Sequence, residues 1–261
     1  MNLKNNCLRT GAYILIDSLV QNGVEHIFGY PGGAILPIYD ELYHWEKSGL
    51  IKHILVRHEQ SAAHAADAYA RTTNKVGVCF ATSGPGATNL VTGIANARMD
   101  SIPMVVITGQ VGRTFIGTDA FQETDIFGIT LPIVKHSYTI RDTNLLPEIF
   151  VEALFLTQNG RPGPVLIDIT RTAQTDIMTV PFEYKPCKSI ISYKPRVEPK
   201  AEHVEAAAKL INGAKRPYIL AGHGIIISGA EKELNDFVDK TGIPVATTLL
   251  GMSSMDADHP S

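Results

Sequence analysis

The stretch that decides the fold is Val76–Thr88, VGVCFATSGPGAT. Its opening run, Val76 to Ala81, is apolar throughout, which marks a strand covered on both faces and not a half-exposed one. Ser83-Gly84-Pro85-Gly86 then breaks the run, and Gly86 to Ala97 continues with helical spacing. Strand, tight turn and helix form the unit of an open parallel sheet. The turn lacks the lysine and the spacing of a P-loop. It suits a structural bend better than an anion nest, although both are open to it.

The same unit recurs on either side. Upstream, Thr10 caps a helix whose apolar positions are Ala12, Leu15, Ile16, Leu19 and Val20, with Gly23 as terminator. A strand, His26 to Tyr30, runs into Pro31-Gly32-Gly33, and a helix follows with Ile35, Ile38, Tyr39 and Leu42 on one face. Ile54 to Val56 reads as a strand and Glu59 to Arg71 as an alanine-rich helix. Downstream come a strand at Pro103–Thr108, a long loop from Gly109 to Phe127 and a strand at Val134–Tyr138. A helix at Pro147–Gln158 and a strand at Pro164–Ile169 complete the series. The expected fold class is therefore α/β, a parallel sheet flanked by helices, over residues 1–171.

Between 172 and 200, Pro181, Pro186, Pro195 and Pro199 punctuate a segment without helical period, which reads as a linker. The alternation restarts with a helix at Ala201–Asn212, a strand at Tyr218–Ala221, a helix at Glu231–Lys240 and a strand at Val245–Leu249. Two strands and two helices barely close a core, so 201–261 is expected to be the beginning of a second, truncated α/β domain.

Composition narrows the function. A formal charge of -3 gives no electrostatic reason to expect nucleic acid or an anionic membrane as partner. Cys7, Cys79 and Cys187 form no CxxC pair, and Cys79 lies inside an apolar strand, so no disulfide framework or zinc site is expected. No apolar run reaches the roughly 18 residues of a membrane span. The start, MNLKNNCLRTG, resembles neither a signal nor a transit peptide, and the protein is expected to work where it is made.

Taken alone, the candidate motifs stay ambiguous. Glu59, in Arg57-His58-Glu59 after a strand end, suits a catalytic acid at the ligand-binding edge of a sheet. It equally suits an acid in a helix first turn. Pro31-Gly32-Gly33 allows close approach of backbone to a ligand or marks a sharp bend. The loop Gly117–Glu123, GTDAFQE, is long and polar enough to be functional.

The order of the blocks is more specific than any one of them. FGYPGGA, RHEQSAAHAADAYAR, TSGPGATN, ITGQV, GTDAFQE and GRPGPVLID follow one another from Phe28 to Asp168. In that order they resemble the pyrimidine-binding domain of acetolactate synthase large subunits, within the thiamine-diphosphate enzyme family. RHEQ and SGPGATN alone point to the wider family, and GTDAFQE after ITGQV narrows the resemblance to the synthases.

The resemblance implies the following roles. Glu59 matches the glutamate that hydrogen-bonds the aminopyrimidine ring of thiamine diphosphate and promotes removal of the thiazolium C2 proton. Tyr30, Gly32 and Gly33 match the loop beside the reacting carbon, with Gly33 counted among the catalytic positions. Phe121 and Gln122 match residues of the substrate channel, Gln122 contacting the bound intermediate. Arg161 matches an arginine that contacts FAD, against the plainer expectation of a cation at a helix C-terminus. Gly222 and Gly224 match the start of an FAD-binding central domain. Gly112 stands where many members carry proline, Arg171-Thr172 replaces a usual Lys-Asp, and His223 interrupts the family's glycine run.

The implied activity is decarboxylation of pyruvate and transfer of its two-carbon unit to pyruvate or 2-oxobutanoate, the first common step of branched-chain amino-acid synthesis. Mg²⁺ and diphosphate ligands are expected in a C-terminal domain, so no metal site is expected here and residues 1–261 alone are expected to be inactive. A homodimer of large subunits with a regulatory small subunit is implied, in bacterial cytoplasm or plastid stroma. Another thiamine-diphosphate decarboxylase or oxidase, or a noncatalytic cofactor-domain fragment, are the alternatives.

Overall fold

A computed structural model describes residues 8–195 and 198–261, so Cys7 lies outside the described residues. The chain forms two compact units, Met1–Arg196 and Val197–Ser261. In the first, the order is α1 (Gly11–Gln21), β1 (His26–Gly29), α2 (Leu36–Lys47), β2 (Lys52–Leu55), α3 (Glu59–Thr73) and β3 (Gly77–Ala81). Then come α4 (Pro85–Thr88), α5 (Val91–Met99), β4 (Met104–Gln110), α6 (Ile126–Thr130) and β5 (His136–Ile140). The series ends with α7 (Leu146–Gln158), β6 (Pro164–Thr170) and α8 (Arg171–Thr175).

The six strands are all parallel, in the spatial order β2-β1-β3-β4-β6-β5. The chain leaves β1 towards one edge of the sheet and leaves β3 towards the other. The loops after these two neighbours therefore open a crevice at the carboxyl ends of the strands, the place where open α/β sheets bind ligands.

The alternation hidden inside VGVCFA explains the layers. Val78 and Phe80 pack on one face with Leu15 of α1, Ile38 of α2 and Phe150 of α7. Cys79 and Ala81 pack on the other face with α3 and α5. Large side chains meet large ones there, while small ones meet the alanines of α3 (Ala62, Ala63, Ala66 and Ala70, all buried). Helix α3 consequently lies very near the sheet: a Cβ on Gly77 would stand 2.1 Å from the carbonyl oxygen of Ala66. This contact fixes the height of the helix that begins with Glu59.

The helix expected over Gly86–Ala97 is divided. Helices α4 and α5 are separated at Asn89-Leu90, where Leu90 is fully buried and the Asn89 side chain reaches Glu59. Strand β4 extends to Gln110 because its ladder with β6 continues to Thr170. The segment after β6 starts as structure and not as linker. Gln174 of α8 donates to the carbonyls of Ala34 (2.8 Å) and Ile169 (2.9 Å). Thr10 and Ile177 form an antiparallel bridge, with Gly11 N–H donating to Asp176 O (3.2 Å) and Met178 N–H to Arg9 O (2.9 Å). Entry and exit of the sheet unit are thus clasped together. Thr10 caps α1 as its sequence indicates, its hydroxyl accepting from Tyr13 N–H at 3.3 Å.

One charged residue lies in the middle of this core. Asp168 of β6 is opposite Thr108 in the ladder and accepts from its hydroxyl at 2.7 Å. Gln110 donates to its other oxygen at 3.0 Å and to Thr124 O at 2.9 Å, which anchors the end of the 111–125 loop. Burial, aided by the nearby Asp125, pushes the Asp168 carboxyl up to about 6 despite these two donors. Its ordinary value is near 3.9. Between those values the native state holds a proton that the unfolded chain has released. The contribution of Asp168 to stability therefore falls as pH rises through that window, by up to roughly 3 kcal/mol. Urea unfolding at pH 4.5 and pH 7.5 tests this: Asp168→Asn should remove most of that pH dependence, and identical slopes for the two proteins would contradict it.

The second unit comprises α9 (Ala201–Gly213), β7 (Ile219–Ala221), α10 (His223–Ser228), α11 (Glu231–Thr241) and β8 (Val245–Thr247). Strands β7 and β8 pair in parallel, and the buried core is built on Ala221, Leu234 and Val238. The short α10 is an addition to the elements expected from sequence. Among the described residues no helix is long and apolar enough to cross a membrane.

Candidate active site

Glu59 is the first residue of α3, capped by His58, whose ring Nδ1 accepts from Gln60 N–H at 3.2 Å. A carboxylate in the first turn is favoured by the positive end of the helix dipole. The residue is only 9% exposed. Its Oε2 accepts from the Asn89 amide at 2.9 Å. Its Oε1 has no hydrogen-bond partner among the described residues and points over Gly86, where a Cβ would stand 3.2 Å away. A glycine under a carboxylate oxygen leaves space for a flat ring to reach that oxygen. A buried acid with one oxygen fixed and the other available is suited to binding a ring nitrogen.

Thr82, at the end of β3, gathers the neighbouring loops. Its hydroxyl accepts from Ala34 N–H at 3.2 Å. Cβ atoms on Gly32 and Gly86 would fall 2.6 Å and 2.8 Å from its Cγ2, so both turns press on this one side chain. Gly84 lies under Gln122 in the same way, with 2.7 Å from a Cβ there to the Gln122 carbonyl oxygen. Through these contacts the structure brings Gly32, Gly33, Glu59 and Gln122, which come from three separate segments, around the turn 82–86.

A cavity of about 530 Å³ opens beside that turn, at the carboxyl ends of β1, β3, β4 and β6. Gly33, Ala34, Ser83, Phe121, Gln122 and Arg171 are among its walls. Its size suits a small ligand or part of a cofactor. Arg171 supplies a cation, and among the described residues it makes no ion pair. Glu59 touches the 82–86 turn without lining the cavity. Tyr30 follows β1 and is 42% exposed.

The other candidates lie elsewhere. Arg161 precedes β6, at the amino end of the sheet, opposite the cavity. Its Nε donates to Ser101 Oγ at 2.7 Å and its Nη2 to Met99 O at 3.1 Å, so it caps the end of α5. Gly222 and Gly224 belong to the second unit, at the N-cap and inside α10. Among the described residues no group of three or more His, Cys, Asp or Glu is arranged to hold a metal ion. Thr82 and Asn89 were not singled out from sequence, although both flank or belong to SGPGATN. The isolated charge of Asp168 in an otherwise apolar strand was a visible signal of the buried network.

Comparison with known proteins adds to this geometry. Residues 9–129 match the family model described as thiamine pyrophosphate enzyme, N-terminal TPP binding domain. Residues 204–261 match the central domain of the same family. The chain is 56% identical over 263 aligned residues to the acetolactate synthase large subunit of Cyanidium caldarium, covering 98% of this chain and 44% of the relative. It is 57% identical to that of Pyropia yezoensis, covering 96% of this chain and 42% of the relative. The acetolactate synthase of Mycobacterium bovis is 50% identical, with 96% and 40% covered. The chain thus spans less than half the length of the curated relatives it matches. Both matched models describe one set of enzymes and together take in more than half of the chain; it belongs to the thiamine pyrophosphate enzyme family.

Proposed function

We propose that this chain carries the pyrimidine-binding half of the active site of an acetolactate synthase large subunit. The observation that supports this best is the buried Glu59 carboxylate, fixed by Asn89 and open over Gly86, beside a cavity at the switch point of the sheet. The names of the relatives favour acetolactate synthesis; pyruvate is assigned as the donor and first acceptor, and 2-oxobutanoate as the second acceptor. Residues 1–171 are assigned to the pyrimidine-binding domain and 201–261 to the start of the central domain.

Each side chain then has a task. Glu59 binds the aminopyrimidine nitrogen through Oε1 and holds or releases a proton there, while Asn89 keeps the carboxylate from turning away. Gly33, with open space beside its α-carbon, leaves the backbone free for close approach to an oxyanion, and Gly32 lets the same turn close onto Thr82. Arg171 offers the cavity's cation to the carboxylate of a 2-oxo acid. Phe121 provides an apolar wall, and Gln122 a hydrogen-bonding amide. When bound, thiamine diphosphate supplies the carbanion-stabilising chemistry. Mg²⁺ and diphosphate ligands are assigned to parts of the longer protein outside these residues. Arg161, Gly222 and Gly224 are assigned to FAD, and the assembly to a homodimer with a regulatory small subunit, in bacterial cytoplasm or plastid stroma.

The test is the full-length protein with thiamine diphosphate, Mg²⁺, FAD and pyruvate. Acetolactate, detected as acetoin after acid decarboxylation, is the expected product. Consumption of pyruvate without acetolactate would favour a related decarboxylase or oxidase and overturn the proposal.

A further inference from the structure

Phe121 is 88% exposed and Gln122 is also exposed, so no packing of their side chains explains where they stand. The backbone of their loop is held instead. One oxygen of the Glu123 carboxylate accepts from Gly117 N–H, and the other accepts from Ala120 N–H at 3.0 Å. The Glu123 N–H returns a bond to Ala120 O at 2.9 Å. Together these close residues 117–123 into a ring. Within it Asp119 (φ +56°) and Gln122 (φ +59°) adopt the left-handed region that side chains other than glycine seldom occupy. Such conformations persist only where the surroundings over-determine them. Gly84 supports Gln122 from below, and Gln110 holds Thr124 O immediately after the ring.

We infer that Glu123 is a positioning residue: its carboxylate ties the amides of Gly117 and Ala120 and so displays Phe121 and Gln122 at the cavity mouth. Those two amides also hold its carboxyl below the usual carboxylate range, so the charged acceptor is present at neutral pH. Glu123 itself does not line the cavity; it acts through its neighbours. The inference rests on the proposed function only for what the loop serves, since the clamp itself is a matter of geometry.

Two measurements separate these levels. Amide hydrogen exchange at Gly117 and Ala120 reports the clamp. Exchange should speed up roughly tenfold or more at both positions in Glu123→Ala, and less in Glu123→Gln, which keeps one oxygen acceptor at the same reach. Steady-state kinetics of the full-length protein report the positioning. The KM for pyruvate should rise and kcat/KM fall by up to roughly a hundredfold in Glu123→Ala, as for a misplacement of about 1 Å. Glu123→Gln should again be intermediate, with the affinity for thiamine diphosphate unchanged. Unchanged exchange in Glu123→Ala would overturn the clamp. Faster exchange with wild-type KM and kcat would overturn the positioning role. A wild-type protein inactive on pyruvate would overturn the proposed function, and the exchange result would still decide the clamp.

Discussion

In the full-length protein, Glu59→Gln is expected to lower acetolactate formation by roughly 10²–10⁴-fold, the range a positioned acid or base contributes. The substitution keeps the length and shape of the side chain, so Asn89 and the 82–86 turn have no steric reason to move. It also keeps a carbonyl oxygen able to accept from a neighbour. What it removes is the capacity to exchange a proton with a ring nitrogen at the oxygen that now stands over Gly86. Thiamine diphosphate should still bind, because a buried amide can replace part of the hydrogen bonding. Comparing turnover with cofactor affinity for wild type and variant separates the two effects. Turnover within a fewfold of wild type would remove Glu59 from the mechanism.

The second large effect is expected on stability. A Cβ at Gly77 meets a backbone oxygen at 2.1 Å, and no side-chain rotation can relieve that. Gly77→Val must lift α3 from β3, separating the alanine face from Cys79 and Ala81 and moving Glu59 with it. Overpacking costs about 1–3 kcal/mol and more where the backbone must shift. A loss of about 3 kcal/mol corresponds to a melting temperature lower by roughly 6–12 °C for a domain of this size. Gly213→Ala is the control, since nothing stands within 4 Å of a Cβ there. It should leave the melting temperature unchanged or slightly higher. Scanning calorimetry of both variants decides it: equal melting temperatures would show that α3 and β3 are not in the tight contact described.

The layers were legible because each rests on a short-range pattern. Apolar runs identify β3, β4 and β6, the last broken by Asp168 alone, and the alanine spacing of α3 marks its buried face. Features that depend on partners far along the chain were not. The break between α4 and α5 leaves the apolar spacing nearly unchanged, so only the reach of Asn89 to Glu59, 30 residues away, reveals it. The pairing of Asp168 with Thr108 requires the register of two strands 60 residues apart. Helix α8 has too few residues for a period to show, and it exists through its contacts with Ala34 and Ile169. At the site, the ordered blocks identified Glu59, Gly33 and Gln122 as candidates. That the 82–86 turn joins their loops, through Thr82, Gly84 and Gly86, is a fact of packing, invisible in any one block.

The clasp joining residues 9–11 to 176–178 has a mechanical side. The two stretches lie side by side and antiparallel, and beyond them the chain stays attached to the unit through the contacts of Thr179 with Asn144, Tyr184 with Asn22 and Tyr193 with Asn159. Tension applied along the polypeptide at those two points would be borne by the two backbone hydrogen bonds there, one after the other. The ladders from β2 to β5 would carry little load until the clasp had opened. A pull on the chain would therefore detach the contacts of residues 179–195 first and the strap containing Ile177 and Met178 next, and leave Glu59 in place.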